Sequence, residues 1–166
     1  MPLSPFTPNS ASAGPAGHLE PPQTSLLLVC IGNICRSPMA QALFAQALPK
    51  ATVASAGLAA LVGQPADAQA QALMAQRGLD LSAHRARQLT GPLVRQSDLI
   101  LVMDADQRRA IESHHPLARG RVFLLGGQQM PDVPDPYRRG PDAFAHALHL
   151  IESSVQRWAP RIQSLN

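Results

Sequence analysis

The chain has 166 residues, is 45% hydrophobic and carries a formal charge of +3, which suits one domain with a buried core. Its two cysteines, Cys30 and Cys35, are too few for a disulfide framework, and their spacing is not that of a zinc site, so no metal is expected. Basic residues are scattered along the chain and aromatics make up only 4%, which argues against nucleic acid and for a mildly basic surface that attracts acidic, phosphorylated segments.

Residues 1–24 are rich in Pro, Ser, Ala and Gly without periodicity, and the expectation is a disordered tail ahead of one domain over residues 25–166. The tail lacks the basic start of a secretory signal, and the apolar run after it is too short to span a bilayer. A cytoplasmic protein with reduced thiols and no membrane insertion is therefore expected. Leu26–Ile31 reads as the first strand. A helix follows from Pro38 to about Leu48, with Pro38 near the first helical position, where a missing N–H costs nothing. Thr52–Ser55 is a short strand stopped by Gly57, and Ala66–Arg77 repeats Ala and Leu at helical spacing up to Gly78. Leu99–Met103 is a continuous apolar run, as in a strand buried on both faces. Asp104 caps a helix that runs to about Ser113, and Val122–Leu125 is a fourth strand ended by Gly126-Gly127. Prolines 131, 134, 136 and 141 mark a loop. The last helix, Asp142 to about Trp158, carries Phe144, Leu148, Ile151 and Val155 on one face. Alternating strands and helices imply an α/β three-layer sandwich: a four-stranded parallel twisted sheet with helices on both faces. Ligands of such sheets sit beyond the carboxyl ends of the strands, which is where Cys30 falls.

The chemistry concentrates between Val29 and Gln41. Cys30 ends the first strand, Ile31, Gly32, Asn33, Ile34 and Cys35 make a tight loop, and Arg36-Ser37 opens the helix. Backbone N–H groups of such a loop point inward, and the helix dipole adds partial positive charge at its mouth. Both favour a dianion in the loop and negative charge on the Cys30 sulfur. The Arg36 guanidinium has a planar fork of donors that matches two phosphate oxygens. The loop is built to bind phosphate and attack it.

Cys-x-Gly-Asn-x-Cys-Arg-Ser-Pro (Cys30 to Pro38), with Asp135-Pro-Tyr137 late in the chain, resembles the low-molecular-weight protein tyrosine phosphatases. Ser55-Ala-Gly57, His84-Arg-Ala-Arg-Gln88 and Asp98–Asp104 extend the resemblance from Ser25 to about Ala159. It implies that Cys30 is the nucleophile of a phosphocysteine intermediate, that Arg36 binds phosphate, and that Asp135 is the general acid and then the base. Ser37 would donate to the sulfur, Tyr137 would wall the pocket, and Asn33, Ser55 and His84 would form a hydrogen-bond network with Ser37. Cys35 would be a reversible redox partner of Cys30. An acid that must be protonated while a thiolate is ionised predicts a bell-shaped rate profile with an acidic optimum. No organic cofactor is implied, and the chain is expected to be a monomer or weak dimer.

Ser55–Gly63, Ala66-Asp67 and Pro134–Arg138 look most like the bacterial branch, whose members are paired with membrane tyrosine autokinases that drive capsule or exopolysaccharide export. Such a phosphotyrosine protein is the implied partner. Two alternatives stay open. Protein-arginine phosphatases resemble this loop but usually carry Thr after the nucleophile, where Ile31 stands here, and a catalytically silent phosphate-binding or redox-sensing module would keep the loop without turnover. Arsenate reduction on a similar fold needs cysteines after Cys35, and the chain has none.

Overall fold

Residues 23–165 are described by a computed structural model. Leu26, Leu27, Leu28 and Val29 are each at most 1% exposed, so the first strand is covered on both faces and must lie inside a sheet. That strand, β1 (Ser25–Cys30), pairs in parallel with β2 (Thr52–Gly57) on one side and β3 (Leu99–Val102) on the other, and β3 pairs with β4 (Val122–Leu124). The order is β2-β1-β3-β4. Side chains alternate between the two faces, and this alternation splits the core. Leu26, Leu28, Cys30, Leu99 and Leu101 pack against Met39 and Phe44 of α1 (Arg36–Ala47), Met74 of α2 (Ala68–Ala75), and Phe144, Leu148 and Ile151 of α5 (Pro141–Gln163). Leu27, Val29, Ile100 and Val102 face Val94 of α3 (Gly91–Gln96) and Ile111 of α4 (Ala105–His114). The three layers and parallel sheet are those the sequence implies. Phe44 and Phe144 are fully buried, and truncating either to Ala costs about 3–5 kcal/mol.

Several boundaries differ from the sequence expectation, each for a local reason. Helix α1 starts at Arg36, which puts Pro38 in its third position; the first four N–H groups of a helix have no partner within it, so the proline is still harmless there. Strand β2 runs through Gly57, because Gly57 pairs with Cys30 and bridges to Gln88. Helix α2 is shorter than expected, since the Asp67 carboxylate caps it by accepting from Gln69 N–H at 2.8 Å. The six-residue α3, opened by Gly91-Pro92 and capped by Thr90, is too short to show a helical period and was not expected. Helix α5 continues past Trp158 to Gln163 despite Pro160; the carbonyl four residues back belongs to exposed Gln156, where water can satisfy it. The tail expected over residues 1–24 lies outside the described residues except for Gln23 and Thr24. Thr24 is nearly buried, and its carbonyl accepts from Thr52 N–H.

Candidate active site

The loop after β1 is shaped by where its carbonyls go. Those of Cys30, Ile31 and Gly32 each accept from a backbone N–H of the chain after β2, namely Leu58, Ala59 and Leu61, all at 3.0 Å. The Ile34 carbonyl accepts from Asp67 N–H at 2.8 Å, and the Asn33 carbonyl lies 2.7 Å from Nε2 of His84. In a trans peptide the N–H points opposite to the C=O. With five successive carbonyls tied outward, the N–H groups of residues 31–35 turn toward the inside of the loop, a ready anion nest. The Asn33 N–H reaches the Cys30 sulfur at 3.3 Å. Close approach between loop and β2 requires Gly57: a Cβ there would run into the Ile31 carbonyl oxygen and sit 3.0 Å from the Ala60 side chain.

Asn33 organises this loop. Its φ is 57°, a left-handed conformation that Asn tolerates better than most residues, and it is fully buried. Oδ1 accepts from Arg87 N–H at 2.9 Å. A backbone N–H can only donate, so this bond fixes the amide orientation and aims Nδ2 at two hydroxyls, Ser37 at 2.8 Å and Ser55 at 2.9 Å. Ser55 in turn donates to Gln41 Oε1 at 2.6 Å. Ser37 already accepts from Asn33, so its own proton is free to point at the Cys30 sulfur 2.9 Å away, where it favours negative charge. His84 donates to the Asn33 carbonyl through Nε2–H, which fixes the neutral tautomer, and burial holds its pKa below the ordinary value. His84 therefore acts on Asn33 and not directly on Ser37.

Arg36 is 3% exposed and comes from the first turn of α1. It donates to the Val133 carbonyl at 2.9 Å, lies 3.8 Å from Asp104 and 3.7 Å from Asp135, and leaves its buried Nε without a partner. An unpaired buried guanidinium donor costs free energy, and a phosphate oxygen would remove that cost. Asp135 is half exposed and accepts from Tyr137 N–H at 3.1 Å, a turn that sets its carboxylate beside Tyr137. Cys30, Ile31, Arg36, Leu61, Asp135 and Tyr137 all line one cavity of about 160 Å3, close to the volume of a void known to hold a benzene ring. Cys35 also borders the cavity, yet its thiol pKa is pushed far up, first by burial and then by the charges of Asp67, Cys30 and Asp135. Cys35 therefore stays a thiol.

The structure thus brings every expected site residue to one loop, one cavity or the network beneath them. Sequence reading gave no site role to Gln41, Arg87 or Val133, and took Asp104 only as a helix cap. Two of these act through backbone atoms, which no side-chain pattern reveals. Among the described residues no cluster of three His, Cys, Asp or Glu is placed to hold a metal ion, and no helix is long and apolar enough to cross a membrane.

Residues 25–166 match the model of the low molecular weight phosphotyrosine protein phosphatases. The chain belongs to this family. It is 55% identical over 141 residues to a probable low molecular weight protein-tyrosine-phosphatase, EpsP, of Ralstonia nicotianae, covering 85% of this chain and 97% of that protein. Vibrio vulnificus Wzb, solved with benzylphosphonate, superposes with a TM-score of 0.80 at 43% identity, over 84% of this chain and 99% of its own. The YwlE arginine phosphatase of Geobacillus stearothermophilus reaches the same TM-score at 30% identity, over 85% and 94%. The chain is therefore an enzyme of the cysteine-dependent phosphatase class, and fold alone does not separate tyrosine from arginine specificity.

Proposed function

We propose that this protein hydrolyses phosphotyrosine in proteins through a phosphocysteine at Cys30. The observation that carries the reading is the sulfur itself: buried at the end of β1, within 2.9 Å of the Ser37 hydroxyl, and facing a loop whose carbonyls are tied outward. In the first step the Cys30 thiolate forms an S–P bond as the P–O bond to tyrosine breaks. The Asp135 carboxyl gives its proton to the departing phenolate oxygen, while Arg36 and the loop amides hold the equatorial oxygens. In the second step water forms the new O–P bond, Asp135 takes its proton, and Ser37 supports the leaving sulfur. Ile31, Leu61 and Tyr137, each about 40% exposed at the cavity mouth, suit the faces of an aromatic ring. The aromatic phosphonate bound by the Vibrio relative is consistent with that choice.

The physiological substrate in this reading is a membrane tyrosine autokinase of capsule or exopolysaccharide export, met by a cytoplasmic enzyme. That assignment rests on the bacterial-branch motifs at 55–67 and 134–138. Arginine dephosphorylation is the competing reading, supported by the YwlE likeness and opposed by Ile31. The deciding experiment assays purified protein and Cys30→Ser, with EDTA present, on phosphotyrosine, phosphoserine and phosphoarginine peptides. Turnover confined to phosphotyrosine and lost in the variant supports the reading; preference for phosphoarginine overturns the substrate, and no turnover overturns the reaction.

A further inference from the structure

A second concavity, of about 610 Å3, wraps the open edge of the sheet at β4. Arg108 of α4 stands on one side of it, and Arg157 and Arg161 of α5 stand on the other, with Phe123 and Trp158 between them. Among the described residues, no carboxylate side chain lines it. Glu112 neutralises part of Arg108 at 3.1 Å, Arg157 is held by the Gln129 amide, and Arg161 lies 6.0 Å over the Trp158 ring, so at least two full positive charges face the groove without an acidic partner among the described residues. We infer that this groove docks an acidic segment of the phosphoprotein substrate, at a distance from the phosphotyrosine itself. The inference rests on the phosphatase reading above and extends it to what lies beside the phosphorylated residue.

Charge complementarity selects the occupant. Three arginines around an apolar floor attract carboxylates and cover the aliphatic or aromatic residues between them. A nucleic-acid strand would need several aromatic faces for successive bases, and the groove offers one exposed aromatic, Phe123. Trp158 is fixed by its Nε1 donating to the Leu125 carbonyl at 2.8 Å, with Phe123 at 5.9 Å between ring centroids and Arg161 above the ring. The placement suits one extended chain. Arg157 and Arg161 lie 16 and 20 residues along α5 from Pro141, about 24–30 Å of helix, which an extended peptide spans in about seven to nine residues. The segment from Gly126 to Val133 joins the two sites directly, with the groove at its start and the carbonyl that holds Arg36 at its end. Acidic residues about seven to nine positions from the phosphotyrosine are the expected ligands.

The test compares two phosphotyrosine peptides of equal length, one with glutamates about seven to nine residues from the tyrosine on each side and one with glutamines there. The wild type and Arg157→Glu/Arg161→Glu are assayed, with p-nitrophenyl phosphate as a substrate that fills only the Cys30 pocket. The expected result is a KM about tenfold lower for the acidic peptide in the wild type, or about 1.4 kcal/mol. That advantage should vanish in the double variant, with p-nitrophenyl phosphate kinetics unchanged there, and in the wild type at 1 M salt. Equal KM values in the wild type, or equal losses on both peptides in the variant, would overturn the inference. Trp158 is the sole tryptophan, so its fluorescence reports the groove without any turnover. An unphosphorylated acidic peptide should shift the emission of Cys30→Ser, and a larger shift from a single-stranded oligonucleotide would overturn the choice of partner. If that peptide shifts the emission while no phosphotyrosine is cleaved, the groove stands and the phosphatase reading falls. Cleavage with no shift rejects the groove alone.

Discussion

Replacing Asn33 tests whether one buried amide assembles the catalytic loop. Asn33→Ala removes three side-chain hydrogen bonds, to Arg87 N–H, Ser37 and Ser55. At about 0.5–1.5 kcal/mol each these sum to roughly 1.5–4.5 kcal/mol, the larger end applying because Arg87 N–H then has no partner. Alanine at a left-handed φ adds about 1–2 kcal/mol, so the total loss is roughly 3–6 kcal/mol. Asn33→Gly keeps the dihedral at little strain and loses the same bonds, though a freer unfolded chain offsets part of that gain; it should be less damaged than Asn33→Ala by about 0.5–1 kcal/mol. With a urea m-value of about 2 kcal/mol/M, the Ala midpoint moves down by about 1.5–3 M. Turnover of phosphotyrosine should fall at least about tenfold in both variants, because Ser37 is no longer held with its proton toward sulfur. A midpoint within about 0.5 M of wild type, with unchanged turnover, would refute the claim that the amide organises the loop.

Other consequences are as direct. Gly57→Ala should lower kcat at least about tenfold and destabilise the fold by about 1–3 kcal/mol, read by turnover and urea melts, because its Cβ collides with the Ile31 carbonyl. Asp135→Asn should slow release of tyrosine about 100-fold and slow p-nitrophenol release less, since a better leaving group needs less proton donation. Iodoacetamide at neutral pH should label Cys30 and spare Cys35, whose thiol pKa burial pushes far up; mass spectrometry should find one adduct in the wild type and none in Cys30→Ser. Burial lowers the His84 pKa, so below its unfolded value of about 6.5 the unfolded chain takes up a proton that the folded chain refuses. The stability linked to His84 is thus complete above about pH 6.5 and declines as pH falls below it toward the lower folded value. His84→Gln should flatten the change in urea midpoint between pH 7 and 5.

The sequence by itself determined what is contiguous. Cys30 through Pro38 is one uninterrupted strand–loop–helix, so the thiol, the guanidinium and the hydroxyl could be placed by spacing alone. The apolar strands β1 and β3 and the Asp104 cap were legible for the same reason, since burial on both faces and capping leave local patterns. Helix α3 was not, because six residues opened by Gly-Pro carry no period. Only the tertiary structure decided how the loop is held. Arg87 comes 54 residues after Asn33 and contributes a backbone N–H, and Val133 comes 97 residues after Arg36 and contributes a carbonyl. Every residue but proline owns both groups, so no residue type announces their use. Gln41 was a plain helical polar residue until β2 brought Ser55 within 2.6 Å of it. The groove at β4 is likewise a product of packing, since arginines 49 and 53 positions apart share a surface only because α4 and α5 flank the same sheet edge. A local chain encodes its chemistry in residue types, whereas the orientation of that chemistry is fixed by atoms that all residues share.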